Sequence, residues 1–420
     1  MFLIKNVTIV APNTKENGKK LDVLIAEGII KEMGTNLTNR TAKVIEEVDL
    51  MLSPGWIDIG AQIGEPGLEH REDLVTVANA AAFGGYTTLA CFPNTEPSIH
   101  SKTEVNFLKN NSQLVEFRPI GALSKNCQGV ELAELYDMAN AGAVAFSDGK
   151  KSIDSAGLLK RGLEYLKGID GLLINTPFDQ SLGKGGQIHE GAISTQLGMK
   201  GIPELSETLM LKRDLDLLAY TDSRLHVHNI STATSVKLVK AAKAKGLKVT
   251  ASTAILNLIF DHNYLASFNE NFKVLPPLRA KTDTKALVKA LLDGTIDVLN
   301  ANHVPWDSEA KNLEFYYAEF GAIGLETTFA LLNTHLGSKL RPSVLVEILA
   351  IRPRKVLNLP VPKIEIGEKA NLTLFSPSHE WSFSKDKIQS KSKNSPLIGE
   401  AFTGKVMGIF NGVHSALFLP

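Results

Sequence analysis

Scarcity narrows this chain before anything present does. Cys91 and Cys127 are its two cysteines in 420 residues, too few for a disulfide framework and suited to a reducing compartment. Neither stands in a C-x-x-C pair, which excludes a cysteine-built zinc site. Net charge is absent too: 45 Lys and Arg offset 45 Asp and Glu, so no global field draws nucleic acid or an anionic membrane. No apolar run approaches the ~18 residues of a membrane span. The opening MFLIKNVTIVAPNTKENGKK has no basic stretch before an apolar run and no small-residue cleavage site. No Gly-rich P-loop string, no G-x-S-x-G elbow and no internal repeat occurs. With 44% hydrophobic and 21% charged residues, the remaining expectation is a cytoplasmic, enzyme-sized globular chain.

Both ends read as short strands. Phe2–Val10, Leu21–Ile25 and Ile29–Glu32 are separated by the turn-rich Asn13–Lys19 and by Glu27-Gly28; near the end, Ala370–Phe375, Gly404–Phe410 and Val413–Leu419 resemble them. Chain ends often lie together, so residues 1–53 and 359–420 are expected to form one small β-sandwich domain. Ser384–Ser395 reads as a polar, Lys-rich loop.

The middle alternates. Strands are expected near Trp56–Gly60, Thr87–Phe92, Phe117–Ala122, Val144–Ser147, Gly171–Thr176, Leu225–Asn229, Lys248–Ser252 and Asp297–Ala301, with helices such as Asp73–Phe83, Val130–Asn140, Ala233–Lys245 and Thr284–Leu292 between them. Eight strands alternating with helices over about 250 residues is the arithmetic of a (β/α)₈ barrel, here an α/β fold over 54–358. A doubly wound sheet is the alternative, but the first strand is not followed by G-x-G-x-x-G.

Barrel chemistry sits just past the strands. There the chain carries PGWID, EPG, GGYTT, PNT, HEGAIS, PPLR and GAIGLE, in that order. Together they resemble dihydroorotase of the amidohydrolase superfamily, in its longer form, along essentially the whole chain. The resemblance implies one or two Zn²⁺ ions that polarise an amide carbonyl and acidify a bridging water. It implies ligands from H-x-H after strand one, a carboxylate after strand four, a His after each of strands five and six, and an Asp after strand eight that doubles as base. At the matching positions this chain has Gly60 and Gln62, Thr176, Asn229 and Asn302, and Gly64 replaces the substrate-holding Arg. Asp148 alone survives near strand four, where the family has two adjacent acids; which of them it replaces stays open. Glycine has no donor, and neutral amides and hydroxyls are weak zinc ligands, so the expectation is that no zinc and no other cofactor is held.

Of the other candidates, Asn94 in PNT and His303 after Asn302 match substrate-contacting residues of the family, as ligand contacts or as relics. His226 and His228 share a strand face and read as packing; His189 and Glu190 read as loop-capping. Asp307, Glu309 and Glu314 read as members of a solvated mobile loop. The resemblance supports a catalytically inactive dihydroorotase homologue of pyrimidine biosynthesis, a structural partner of aspartate carbamoyltransferase and an expected homo-oligomer. The alternatives are an active cyclic amide hydrolase using Asp148, His303 and His226 or His228, and a self-assembling scaffold. On the first reading, restoring all five ligands should return zinc, and turnover only once Gly64→Arg is added.

Overall fold

The computed structural model describes residues 1–12 and 14–419; Asn13, the first residue of the expected turn, lies outside them. Eighteen strands are present among the described residues. The first five, β1 (Phe2–Ile9), β2 (Lys20–Ala26), β3 (Ile29–Gly34), β4 (Lys43–Ile45) and β5 (Met51–Pro54), come from the beginning of the chain. The barrel strands follow: β6 (Trp56–Ala61), β7 (Tyr86–Cys91), β8 (Glu116–Gly121), β9 (Ala145–Phe146) and β10 (Leu173–Asn175). After the short pair β11 (Ile188–His189) and β12 (Gly201–Ile202) come β13 (Leu225–Val227), β14 (Val249–Ala254) and β15 (Val298–Asn300). The chain closes with β16 (Asn371–Ser382), β17 (Ala401–Asn411) and β18 (His414–Leu417).

Strands β6–β10 and β13–β15 form one parallel eight-stranded sheet in sequence order. Its two edges meet: the Ala301 amide donates to Asp58 at 2.7 Å and the Gln62 amide to the His303 carbonyl at 3.1 Å. Helices cover the outside; Asp73 caps Leu74–Phe83, whose Val77, Ala78, Ala80, Ala81 and Ala82 are buried. The architecture is the expected (β/α)₈ barrel.

The chain ends join in a second eight-stranded sheet, ordered β18-β17-β16-β5-β1-β2-β3 with β4 branching from β1. Ile4, Val7, Ile9, Leu52, Leu372 and Phe410 fill its core. Among the described residues no helix is long and apolar enough to cross a membrane.

Two segments differ from their sequence reading. Residues 384–395 are no loose loop, because Ser390, Ser392 and Asn394 are buried. Glu326 accepts from the Gln389 amide at 2.8 Å and the Ser390 amide at 3.1 Å, Glu72 takes the Ser390 hydroxyl, and Asn394 donates to the Val304 carbonyl at 3.0 Å. The loop after β15 is pinned as well. Lys273 donates to the carbonyls of Phe315 (2.8 Å) and Tyr316 (2.9 Å), and Lys311 to those of Glu270 (2.7 Å) and Glu319 (2.8 Å). Both lysines are buried, so the acids of this loop ride on an anchored segment.

Candidate functional site

The strand ends converge on a mouth where turn geometry decides which side chain points where. Asn229 and Asn302 follow β13 and β15 in left-handed conformation, φ +57° and +47°, which asparagine tolerates. Their amides face one another. Asn229 Nδ2 donates to Asn302 Oδ1 at 3.1 Å, and Asn302 Nδ2 to the Leu275 carbonyl at 3.2 Å. Thr176 is turned toward strand four, its hydroxyl donating to the Gly149 carbonyl at 3.0 Å.

Gly60 marks the floor. Its φ is +95°, and a Cβ there would lie 2.6 Å from His228 Cε1 and 2.9 Å from the Phe92 ring. His228 packs edge-on against Phe92, centroids 4.8 Å apart. Burial lowers its pKa to about 3, so it serves as a neutral ring. His226 lies deeper, bonded through Nδ1 to the Thr250 hydroxyl at 2.8 Å. Gly64 is equally constrained: φ is +70°, and a Cβ would meet the Glu72 carbonyl oxygen at 2.1 Å.

The three candidates that match family residues are engaged within the protein. Asp148 is buried; it accepts from the Ser124 amide at 2.9 Å and the Ser124 hydroxyl at 2.5 Å. Burial raises its pKa, and these two bonds oppose the rise. Asn94 accepts from the Lys150 amide at 3.0 Å and donates to the Asp148 carbonyl at 3.1 Å, stapling the strand-two loop to the strand-four turn. His303 is fully buried, with Nδ1 accepting from the Gly324 amide at 3.3 Å and Nε2 at 3.4 Å from the Glu72 carboxylate. His189 lies apart, 3.2 Å from Arg279 and stacked near His262.

Gln62, of the five replaced positions, lines a cavity of ≈ 460 Å³ with Arg71, Asn94, Lys150, Lys151 and Trp306. The Arg71 guanidinium carbon lies 3.9 Å over the Trp306 ring centre and the Lys150 ammonium 5.0 Å from it. Desolvation of that ammonium, then the Arg71 charge, push the Lys150 pKa down, and Glu319 opposes them. The residue remains exposed overall, so solvent tempers the effect. Arg71 and Trp306 escaped the sequence reading, although both stand in strings that follow barrel strands. Among the described residues no group of three or more His, Cys, Asp and Glu is placed to hold a metal ion.

Comparison with known proteins bears on this geometry. A family profile described as Dihydro-orotase-like matches residues 49–235. The chain is 38% identical over 410 residues to a protein named dihydroorotase in Acetivibrio thermocellus, with 96% of each chain covered. It is 37% identical to one so named in Caldicellulosiruptor saccharolyticus, over 98% of this chain and 97% of that one. The chain belongs to the dihydroorotase family. Among solved structures, L-hydantoinase from Arthrobacter aurescens superposes with a TM-score of 0.86 at 22% identity, covering 100% of this chain and 98% of that one. Dihydropyrimidinase from Brevibacillus agri gives 0.82 at 21%, covering 99% and 95%. At such identities these two structures establish the barrel fold alone. This dihydroorotase-family chain thus combines a near-full-length likeness to proteins so named with the mouth residues just described.

Proposed function

We propose that this member of the dihydroorotase family serves pyrimidine biosynthesis without the family's zinc centre, as a structural partner of aspartate carbamoyltransferase. The donor set carries this reading. Gly60 has no donor atom, Gln62 is a neutral amide, and Thr176, Asn229 and Asn302 already bond within the mouth. Zinc is held by imidazole, thiolate or carboxylate. His228 and Phe92 also crowd the space beside Gly60. These residues do not fit a zinc ion. The scaffold, in contrast, keeps its matched carboxylates and buried core, as a protein selected for shape requires. We read the chain as a cytoplasmic homo-oligomer.

A second reading, turnover of dihydroorotate, is favoured by the names of relatives that are 37–38% identical over nearly the full length. It must draw acid–base chemistry from Asp148, His303, His226 or His228. All four are buried.

Zinc content of protein purified without chelator, measured with dihydroorotate turnover on the same sample, separates the two. The first reading expects zinc far below one per chain and no turnover. Near-stoichiometric zinc with turnover establishes the second. Co-elution with aspartate carbamoyltransferase tests the partnership, and separate elution of the two proteins sinks it.

A further inference from the structure

Arg71, Lys150 and Lys151 come from loops after barrel strands one and four, yet they line one cavity. Among the described residues none of the three has a carboxylate within 4.0 Å, the limit within which the molecule's other ion pairs are found. Glu96 is the one acid on the lining, so cations outnumber anions by three to one there. Two of these cations crowd the same Trp306 ring, at 3.9 and 5.0 Å. Like charges held together with their counter-charges, Glu319 among them, only beyond ion-pair distance cost free energy that an incoming anion relieves. The ring holds the guanidinium through stacking; Arg71 Nε donates to His70 Nε2 at 3.2 Å, which leaves the two terminal amino groups for a ligand.

We infer that this cavity binds the phosphate group of a small phosphorylated molecule, with Arg71 and Lys150 as its principal contacts. A phosphate monoester concentrates about −1.5 to −2 charges on three acceptor oxygens, which suits three cations brought together from two loops. A single carboxylate is planar, carries one charge and matches one arginine fork. The ≈ 460 Å³ volume lies within the usual range for small-molecule pockets. The cavity shares Asn94 with the carboxylate-holding positions of the family, but its cations are other residues. Gly64 has no side chain to offer, His303 is buried against Glu72, and Asn94 is bonded to the strand-four turn. The inference rests on the zinc-free reading of the mouth, because a resident metal would itself attract phosphate.

The probe is inorganic phosphate, titrated near pH 7.5 into the full chain at low salt and followed by calorimetry and by Trp306 fluorescence. Succinate serves as a dicarboxylate of similar charge. Phosphate should bind saturably and about tenfold or more tighter than succinate. R71Q and K150Q should each weaken it about tenfold or more, the scale of one lost charge-assisted bond. Both positions reach solvent, so folding should persist, and far-UV circular dichroism checks it. K160Q, which removes a lysine lying 5.4 Å from the Tyr220 ring outside the cavity, should leave binding unchanged. No saturable binding, equal affinity for succinate, or indifference to both R71Q and K150Q overturns the inference. Zinc measured on the same sample separates the failures. Low zinc without phosphate binding sinks this inference alone, whereas stoichiometric zinc with binding indifferent to R71Q sinks the zinc-free reading as well.

Discussion

Glu207 and Asp58 are buried carboxylates of one barrel, and they differ in company. Glu207 accepts from the Ser231 amide (2.9 Å) and hydroxyl, the Thr232 amide (3.2 Å) and hydroxyl (3.2 Å) and the Ser235 hydroxyl (2.6 Å), and it faces Arg279 at 3.5 Å. Asp58 accepts one bond, from Ala301, and its Oδ2 has no partner. Two other barrel strands carry further unanswered atoms: both amide atoms of Asn300 and Nε2 of His226. Apart from Arg279 Nη2, which lacks a hydrogen bond of its own, the shell about Glu207 is paired, while the barrel interior below the mouth is not. Polar groups left this way call for ordered water. Sequence thus constrains this molecule most closely in the shell that holds its shape.

The sharpest way to break the comparison is to remove the partner of the well-kept carboxylate. Arg279→Ala should destabilise the protein by about 3–5 kcal/mol, because it takes from the buried Glu207 the cation that faces it. Denaturant unfolding measures it; a loss below about 1 kcal/mol would mean the shell is no better specified than the interior.

Asp58 gives the next effect, and its sign is opposite. Burial raises its pKa to about 7, against 3.8 when exposed. Between those values the folded protein keeps a proton that the unfolded chain releases, so stability falls as pH rises from about 4 to about 7 and then levels. Asp58→Asn should remove that decline and stabilise the protein at pH 8 by roughly 2–4 kcal/mol. An unchanged pH–stability profile would place the titration elsewhere, with Glu326, which burial also raises to about 7, the first suspect.

Much of the fold was legible because its signals are local. The eight barrel strands sit within a residue or two of their expected places, since apolar runs bounded by turn residues admit few alternatives. The helix expected from Val130 starts at Leu135, because Leu132 pairs with Ser124 in a short bridge instead. Strand β16 runs on to Ser382 because β17 supplies partners for its outer half. At the site, the replaced positions were readable from the motifs, but their present contacts were not. Ser390 reaches Glu72 across 318 positions, and Arg71 finds Trp306 from the opposite end of the barrel's sequence. No periodicity encodes such pairs.

A smaller break tests whether the mouth is filled rather than merely vacated. Gly60→Ala should cost about 1–3 kcal/mol, because its Cβ meets His228 and Phe92 and its φ of +95° suits glycine. The same contacts revise the rescue expected from sequence. Restoring Gly60→His, Gln62→His, Thr176→His, Asn229→His and Asn302→Asp together should not return zinc, since the first of them has no room. Gly64→Arg meets the Glu72 backbone in the same way. Zinc analysis of the five-fold variant checks this, and stoichiometric metal would show that His228 and Phe92 yield.

The smallest expected effect is none at all, and it concerns Asn302→Asp alone. In the family the matching Asp is base as well as ligand, so this change restores the group whose charge the reaction needs. Here the new carboxylate would still accept from Asn229 Nδ2. It would lose the donor that now meets the Leu275 carbonyl, setting two acceptors against each other at about the present 3.2 Å. A base in that position also needs an activated water to deprotonate, and the donors around it remain Gly60, Gln62, Thr176 and Asn229. Dihydroorotate turnover by the variant should equal that of the unaltered protein, with zinc content unchanged. If turnover rises, the mouth already assembles an activated water, and the comparison drawn above reverses: the unmatched interior would then be the working part of the barrel.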